Sequence, residues 1–528
     1  MSIPTKNYAF VRNKLLNKEE IAFLDVREED PHAQEHPLFA ANVPLSRIEI
    51  DAYGKLPRKN VPIVTLDDGE GYATLAAQRL IALGYTDVSV FEGGVQGWKA
   101  AGGELFRDVN VPSKSFGELV ESKRHTPSLS AQEVKKLLDD QEDVVVVDVR
   151  RFDEYNTMSI PSGISVPGAE LVLRVPELAP NPKTKIIVNC AGRTRSIIGT
   201  QSLINAGIPN EVNALRNGTI GWTLAGQELD KGQSRKFKEV SQSTTSEASD
   251  RARSVADRAK VKRTSLAELE PWKSQSERTT YFLDTRTPEE YEAGHLPGFR
   301  SAPGGQLVQE TEMVAPVRGA RIVLADASSS VRANMPASWL AQMAWDVYVV
   351  DGLKDSALTE KGVWKAPLPP LPQVQLVDAM TVSQWLKSDS NTIAVDFSTH
   401  ANYVKGHIPG SWYALRSQLA EAIKQIPKVD RYVLTSSPSE LSMFVAQEFQ
   451  ALTKAEVLVL KGGNAGWIAA GLELEKGASH LASPPLDRYK RPYEGTSVDH
   501  SAMQAYLDWE FGLVEQLGKD GTHHFWVL

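Results

Sequence analysis

The chain has 528 residues and a net charge of −8, and it is 41% apolar and 23% charged. At about 150 residues per domain, this length predicts roughly three to four domains, and the composition is that of a folded globular chain. The negative charge argues against nucleic acid as a partner. The apolar runs are too short to span a bilayer, and the N-terminal sequence lacks the pattern of a secretory signal. We therefore expect a cytoplasmic protein with no membrane partner.

Four copies of one unit follow one another along the chain. Each begins with a short apolar strand that ends in an aspartate: Asp25, Asp148, Asp284 and Asp396. A second apolar strand follows in each copy, and the residue directly after it is Asp67, Cys190, Asp326 or Ser436. The two positions are 42 residues apart in three copies and 40 in the fourth. Helical spacing follows each second strand, so we predict an α/β fold of four repeated domains, each a small parallel sheet with helices on both faces.

These repeats also predict the domain boundaries. We expect domains over 1–110, 125–232, 266–368 and 373–480. The polar, serine-rich segment 233–265 predicts a linker or an exposed helix between two halves of the chain. Residues 481–528 form a tail in which Asp499 is predicted to cap a helix running to about Leu517. We expect this helix to pack on another domain or, in a homo-oligomer, on another subunit, through an apolar face made of Met503, Tyr506, Leu507 and Phe511.

Cys190 is the only cysteine in the chain, and it restricts the chemistry. An intrachain disulfide and a cysteine-rich zinc site are excluded, and we expect no metal and no cofactor. A small glycine-containing loop between a strand and a helix can point backbone N–H groups at one anion. The loop after Cys190 has this character, since it reads Ala191, Gly192, Arg193, Thr194, Arg195, Ser196.

The charges around this loop predict a reactive thiolate. The helix N-terminus and the two arginines should lower the pKa of Cys190 well below the ordinary value of about 8.5. A nucleophile and an anion receptor in one loop are what covalent group transfer requires.

Two further motifs mark the repeats. A glycine turn after the third strand precedes Trp98, Trp222 and Trp467, which we expect to be core anchors. The third and fourth copies contain Gly-His-Leu-Pro-Gly and Gly-His-Ile-Pro-Gly, each with its histidine 11 residues after the strand-end aspartate. With the Asp-Val-Arg strand end and the cysteine loop, these motifs resemble the rhodanese family, here as a tandem protein of four rhodanese-like domains.

This resemblance implies a sulfurtransferase of the thiosulfate:cyanide class. A small anionic donor such as thiosulfate or 3-mercaptopyruvate would give sulfane sulfur to Cys190, and cyanide or an external thiol would remove it from the persulfide. The backbone of residues 191–196 would hold the persulfide, and Arg193 or Arg195 would bind the donor.

The copies depart from the family pattern in ways that assign them different roles. Asp67, Asp326 and Ser436 stand at the cysteine position, so only the second domain is predicted to be catalytic. Within that domain Ser159 replaces the signature histidine, which makes that histidine dispensable. Asp148 and Arg150 are expected to support the loop, and the same pair in two copies without cysteine favours a structural ion pair.

Other functions remain open at this point. A cysteine-dependent phosphatase also uses a thiolate in an anion-binding loop, but its loop has the spacing Cys-x5-Arg, whereas Arg195 gives Cys-x4-Arg. Arsenate reduction on a similar domain is another alternative. A third is a non-enzymatic scaffold or persulfide-relay protein, in which the inactive domains dock a partner.

Overall fold

The computed structural model describes residues 3–495 and 498–528. Its strands form four sheets, one for each sequence repeat, and helices flank them. The predicted α/β fold of four repeated domains is confirmed. The central strands are short, aliphatic and buried, as parallel strands covered on both faces must be; Ile21–Asp25 and Arg321–Ala325 are buried along their whole length.

The first domain contains a six-stranded sheet. Its strands, in spatial order, are Thr5–Lys6, Val88–Phe91, Ile63–Leu66, Ile21–Asp25 and Val317–Arg318, with Ala41–Asn42 also paired to Ile21–Asp25. Its helices are Tyr8–Leu16, Glu29–Gln34, Ile48–Lys55, Tyr72–Ala82 and Gly94–Ala100, with a 3-10 turn at Leu45–Arg47.

The second domain contains a five-stranded parallel sheet. Its strands, in spatial order, are Ser128–Leu129, Val212–Leu215, Lys185–Asn189, Val144–Asp148 and Ile164–Ser165. Its helices are Ala131–Asp139, Phe152–Thr157, Leu171–Leu178, Thr194–Asn205 and Gly218–Leu224, with a 3-10 turn at Gly168–Glu170.

The third and fourth domains repeat this strand order. The third sheet runs Lys262–Thr264, Asp346–Val350, Arg321–Ala325, Thr280–Asp284 and Arg300–Ser301. Its helices are Leu266–Lys273, Pro288–Ala293, Gly304–Gln309, Thr311–Val314 and Val331–Gln342, with a 3-10 turn at Asp355–Ala357. The fourth sheet runs Leu376–Val377, Glu456–Leu460, Arg431–Thr435, Thr392–Asp396 and Trp412–Tyr413. Its helices are Ala379–Ser388, His400–Lys405, Leu419–Gln425, Ser439–Ala451 and Gly463–Ala469, with a 3-10 turn at Arg416–Gln418.

Four more helices lie outside these domains: Val111–Arg124, Gln242–Arg258, His500–Phe511 and Leu513–Asp520. We call Val111–Arg124 the connecting helix, because it joins the first two domains, and His500–Phe511 the C-terminal helix. None of the helices within the described ranges has the length and apolar character that a membrane span requires.

One strand of the third domain joins the sheet of the first domain. Strand Val317–Arg318 leaves the third domain and pairs antiparallel with Ile21–Asp25 of the first. One apolar core therefore contains residues of both, including Phe23 and Ile322. This pairing covers the part of the Ile21–Asp25 edge that Ala41–Asn42 leaves unpaired.

The segment predicted as a polar linker or exposed helix is an ordered part of the domain interface. Helix Gln242–Arg258 buries Ala248, Ala252, Val255 and Ala256 and packs on helices Leu171–Leu178 and Val331–Gln342. Strand Lys262–Thr264, within the same segment, opens the third sheet. The prediction that this helix is exposed is wrong. Three of its four buried residues are alanines, which give a weak apolar pattern in the sequence but allow close packing between helices.

The C-terminal helix covers the second domain of its own chain. Asp499 caps it as predicted, by accepting a hydrogen bond from the Ser501 N–H at 2.9 Å. Met503, Tyr506 and Leu507 are buried in a cluster with Ala191 and Ile220. Phe511, predicted on the same face, is instead 56% exposed. Because the apolar face is covered within the chain, it no longer gives a reason to expect a homo-oligomer through this helix.

Candidate active site in the second domain

Cys190 lies at the carboxyl end of strand Lys185–Asn189 and is 2% exposed. Its Sγ donates to the Ser196 hydroxyl at 3.4 Å, and that hydroxyl donates to the carbonyl oxygen of Arg193 at 2.8 Å. Helix Thr194–Asn205 begins directly after this turn. We call residues 190–196 the cysteine loop. The sulfur therefore lies where the strand end, the helix N-terminus and the loop backbone meet, as the sequence predicted.

In the two domains with aspartate at the cysteine position, the carboxylate accepts hydrogen bonds from its own domain. In the first domain, the Asp67 carboxylate accepts from the backbone N–H groups of Gly69 at 3.2 Å and Ala73 at 3.0 Å. In the third, the Asp326 carboxylate accepts from the Arg332 N–H at 2.7 Å and from its guanidinium at 3.1 Å. Each aspartate is an anion held by the loop of its own domain.

The second domain has a thiol at the same position and no carboxylate of its own there. Ser196 follows Cys190 by six residues, just as Ala73 follows Asp67 and Arg332 follows Asp326. The N–H groups of Ala191, Gly192 and Arg193 donate to no carbonyl oxygen of the described residues. They are thus available to an anionic substrate or a bound sulfur atom.

The glycine-tryptophan turn donates backbone hydrogen bonds to the cysteine loop. The carbonyl oxygen of Cys190 accepts from the Thr219 N–H at 2.9 Å, and that of Ala191 accepts from the Ile220 N–H at 3.0 Å. Trp222, two residues after Ile220, is fully buried, and its indole N–H donates to the carbonyl oxygen of Glu228 at 2.8 Å. Trp98 and Trp467 make the same contact in their domains, at 3.0 and 2.9 Å. The tryptophans are core anchors, as predicted.

Residues from other parts of the chain close the site. A small cavity beside Cys190 is lined by the cysteine loop and by five residues from outside the second domain's repeat. These five are Lys114, Gln309, Tyr493, Tyr506 and Glu510. None of the five is predicted as a site residue from the sequence. One available signal was a charge on an apolar face, because Glu510 follows Met503 and Tyr506 at helical spacing.

The Arg193 guanidinium is bound by two carboxylates of the connecting helix. Its guanidinium donates to both carboxylate oxygens of Glu118, at 2.7 and 2.8 Å, and also pairs with Glu121. Both acidic residues belong to the connecting helix. The exposed ring of Phe511 lies 4.3 Å from the guanidinium. Arg193 therefore ties the cysteine loop to two neighbouring helices, and the expectation that it binds the donor has no support in this geometry.

Arg195 is the arginine whose charge acts on the thiol. It forms a two-point ion pair with Glu154, at 2.8 and 2.9 Å. Burial raises the pKa of the Cys190 thiol, whereas Arg195 and the hydrogen bonds to Ser196 lower it, and the net effect is a raised pKa. The predicted low pKa is therefore wrong for this structure. The sequence could not show that the C-terminal helix covers the site or that Glu118 and Glu121 neutralise Arg193.

Asp148 and Arg150 form a buried ion pair at 2.7 Å. Arg150 also donates to the carbonyl oxygen of Met158 at 2.6 Å, and Asp148 accepts from the Asn189 amide at 2.9 Å. The pairs Asp25–Arg27 and Asp284–Arg286 repeat the geometry, each at 2.6 Å. The predicted structural ion pair is confirmed, and Asn189 connects it to the residue just before Cys190.

Comparison with known proteins agrees with this architecture. Residues 11–101, 130–225, 266–353 and 379–470 match the Rhodanese-like domain family. The chain is similar, with a TM-score of 0.98 and 61% identity over 100% of both chains, to a crystal structure of thiosulfate sulfurtransferase from Pseudomonas aeruginosa. It is also 34% identical over 90 residues to the HTH-type transcriptional regulator Rv0324 of Mycobacterium tuberculosis. That match spans 17% of this chain and only 39% of the regulator. Family match and full-length similarity together establish that the chain belongs to the rhodanese family, with four rhodanese-like domains in tandem.

Proposed function

We propose that this protein is a rhodanese-type sulfurtransferase whose sulfur carrier is Cys190. It takes sulfane sulfur from a small anionic donor, such as thiosulfate or 3-mercaptopyruvate, and passes it to a thiol or to cyanide. One observation supports the proposal above all. In the first and third domains, the carboxylates of Asp67 and Asp326 accept hydrogen bonds from backbone N–H groups. The second domain has the nucleophilic sulfur of Cys190 at the same position.

The first half-reaction follows from this arrangement. Sγ of Cys190 attacks the outer sulfur of thiosulfate, the donor's S–S bond breaks, and its electron pair leaves with sulfite. The product is a persulfide, whose terminal sulfur carries negative charge. The free N–H groups of Ala191, Gly192 and Arg193 stabilise that charge, as an oxyanion hole stabilises an oxyanion.

The second half-reaction needs an acceptor from solution. Cys190 is the only cysteine of the chain, so a second thiol of the same chain is ruled out. An acceptor thiolate or cyanide attacks the terminal sulfur and leaves Cys190 reduced. The small cavity beside Cys190 restricts the acceptor to a small group, and a compartment rich in small thiols, such as the cytoplasm, would supply one.

The remaining loop residues have supporting roles in this proposal. Arg195 supplies positive charge near the thiol and the donor, and Ser196 accepts a hydrogen bond from the sulfur. Thr194 begins the helix whose N-terminus faces the site. The similarity to a protein named thiosulfate sulfurtransferase makes thiosulfate the first donor to test.

The test combines intact-mass measurement with steady-state turnover. After donor treatment we expect one added sulfur atom per chain, located on Cys190, and thiocyanate formation from thiosulfate and cyanide. The variant Cys190→Ser should remain folded and lose the adduct and the turnover. Residual turnover above one tenth of wild type, about 1.4 kcal/mol in barrier, would rule out Cys190 as the carrier. Hydrolysis of an aryl phosphate at a comparable rate would instead support the phosphatase alternative.

A further inference from the structure

Glu510 is a buried carboxyl group in the wall of the sulfur site. It is 1% exposed. Its Oε1 accepts a hydrogen bond from the Tyr506 hydroxyl at 2.8 Å, while Oε2 is buried and has no hydrogen-bond partner among the described residues. Buried polar atoms are rarely left unpaired, because desolvation without a hydrogen bond costs about 1–3 kcal/mol. An unpaired oxygen at this position therefore points to a functional role.

The unpaired oxygen faces the cysteine loop. Glu510 and Cys190 line the same cavity. A Cβ atom built on Gly192 would lie 3.5 Å from Oε2 and 3.3 Å from the Tyr506 ring. The carboxyl group of Glu510 therefore lies next to the cysteine loop. Gly192 has no side chain, and this leaves space for the carboxyl group.

Burial keeps Glu510 protonated at neutral pH, although most of the groups around it favour the carboxylate. Those that face it are Lys114 and Glu118 from the connecting helix, Arg193 and Cys190 from the cysteine loop, Tyr506 from its own helix, and Tyr493. Burial and Glu118 raise its pKa, whereas Lys114, the Tyr506 hydrogen bond and Arg193 lower it. The net result is a pKa of about 8. The Lys114 ammonium, which could otherwise stabilise the carboxylate more strongly, is held by Asp108 at 2.8 Å.

Sulfur transfer at a buried thiol requires a proton carrier. In the first half-reaction, Cys190–SH and thiosulfate become a persulfide anion and hydrogen sulfite, so the thiol proton must reach the departing group. In the second, an acceptor thiol loses its proton and Cys190 regains one. Because burial raises the pKa of Cys190, the proton remains on the sulfur until attack begins.

We propose, on the basis of the function inferred above, that Glu510 is this proton carrier. As the donor's S–S bond breaks, Oε2 gives its proton to the leaving sulfite and takes the proton of Cys190. With an acceptor thiol, the same oxygen takes the acceptor's proton and returns one to Cys190 Sγ. Glu510 is unchanged after each half-reaction. At higher pH its carboxylate no longer has a proton to give, and its charge repels the anionic donor.

The test is single-turnover sulfite release from thiosulfate in rapid mixing, from pH 6 to 9. For the wild type we expect the rate to fall as pH rises through about 8. The variant Glu510→Gln keeps the shape and the Tyr506 hydrogen bond but has no acidic proton to transfer. It should be at least tenfold slower at pH 7 and show no inflection near pH 8. The matched control is Glu515→Gln, an exposed carboxylate of the next helix, which should match the wild type.

Several outcomes would overturn the inference. It is wrong if Glu510→Gln stays within twofold of the wild type with the same inflection, or if the wild type shows no inflection near pH 8. Circular dichroism and alkylation of Cys190 report whether Glu510→Gln is folded. If it is not, Glu510→Asp replaces it and must keep an inflection. A wild-type chain that releases no sulfite overturns the proposed function itself, whereas normal release in both proteins overturns this inference alone.

Discussion

The Cα atom of Gly218 lies against the carbonyl oxygen of Cys190, so close that a Cβ atom there would collide with that oxygen and lie 2.8 Å from the carbonyl oxygen of Gly192. Gly218 also has a φ of +55°, which favours glycine. Gly94 takes the same position against the carbonyl oxygen of Asp67, where a Cβ would be 2.6 Å away. The glycine of the glycine-tryptophan turn therefore sets the distance between that turn and the loop at the cysteine position.

Gly218→Ala is expected to displace the cysteine loop. The clash with two carbonyl oxygens should lower sulfurtransferase turnover at least tenfold and destabilise the second domain. The matched control is Gly226→Ala, since Gly226 has a φ of +72° but no atom within 4 Å of its Cβ position. The control measures the cost of backbone strain alone, about 1 kcal/mol. Equal loss of turnover in the two variants would mean that the contact with Cys190 is unimportant.

Arg195→Leu is expected to make the thiol less reactive. Arg195 lowers the pKa of Cys190 against the effect of burial, and its removal also leaves the Glu154 carboxylate uncompensated. The pH at which iodoacetamide alkylates Cys190 at half its maximal rate should rise by about one unit, which is roughly tenfold in rate at a fixed pH. The exposed neighbour Arg151 provides the control variant, Arg151→Leu. An unchanged alkylation profile in Arg195→Leu would remove Arg195 from the site.

Glu154 should contribute to acid stability. Burial raises its pKa, but Arg195 more than offsets this and lowers the pKa from 4.5 to about 2. A carboxyl group with a lowered folded-state pKa stabilises the protein above its unfolded-state pKa, and that contribution is lost as pH falls from about 4.5 to 2. The difference in unfolding free energy between wild type and Glu154→Gln should therefore shrink by about 2 kcal/mol across this window.

Urea unfolding at a series of pH values measures this effect. Asp153→Asn is the control, because Asp153 is a largely exposed neighbour on the same helix. Its unfolding free energy should follow that of the wild type within about 0.5 kcal/mol at each pH. A constant difference between wild type and Glu154→Gln from pH 5 to 2 would contradict the ion pair as a source of acid stability.

Asp326 is expected to stabilise the third domain without serving catalysis. Asp326→Ala leaves the Arg332 guanidinium, which is 4% exposed, without one of its carboxylate partners. Breaking a buried ion pair in this way costs about 3 kcal/mol. Thermal unfolding should occur at lower temperature, while turnover per folded chain stays at the wild-type value. The control Asp355→Ala removes a carboxylate that accepts from the exposed Ser328 N–H; a comparable loss of stability there would contradict the argument.

Much of the fold could be predicted from local pattern. In each domain, the predicted strands end at the strand-end aspartate and just before the residue about 42 positions later. These ends are predictable because a buried parallel strand needs a continuous aliphatic run and a polar residue where it ends. Helix Gln242–Arg258 lies in the segment predicted as a linker or an exposed helix, and its burial could not be predicted because its buried face consists mostly of alanine. Strand Val317–Arg318 was missed because two residues carry no periodicity, and their pairing with the first domain is long-range.

The sequence by itself determined the rhodanese fold, the number of domains and the identity of the nucleophilic loop, because these depend on motifs within about 50 residues of one another. Only the tertiary structure decided what surrounds Cys190: the C-terminal helix that covers it, the carboxyl group of Glu510 beside it, and Glu118, which pairs with Arg193. Burial and distant charges set the pKa of a group, and both come from residues up to about 320 positions away in the chain.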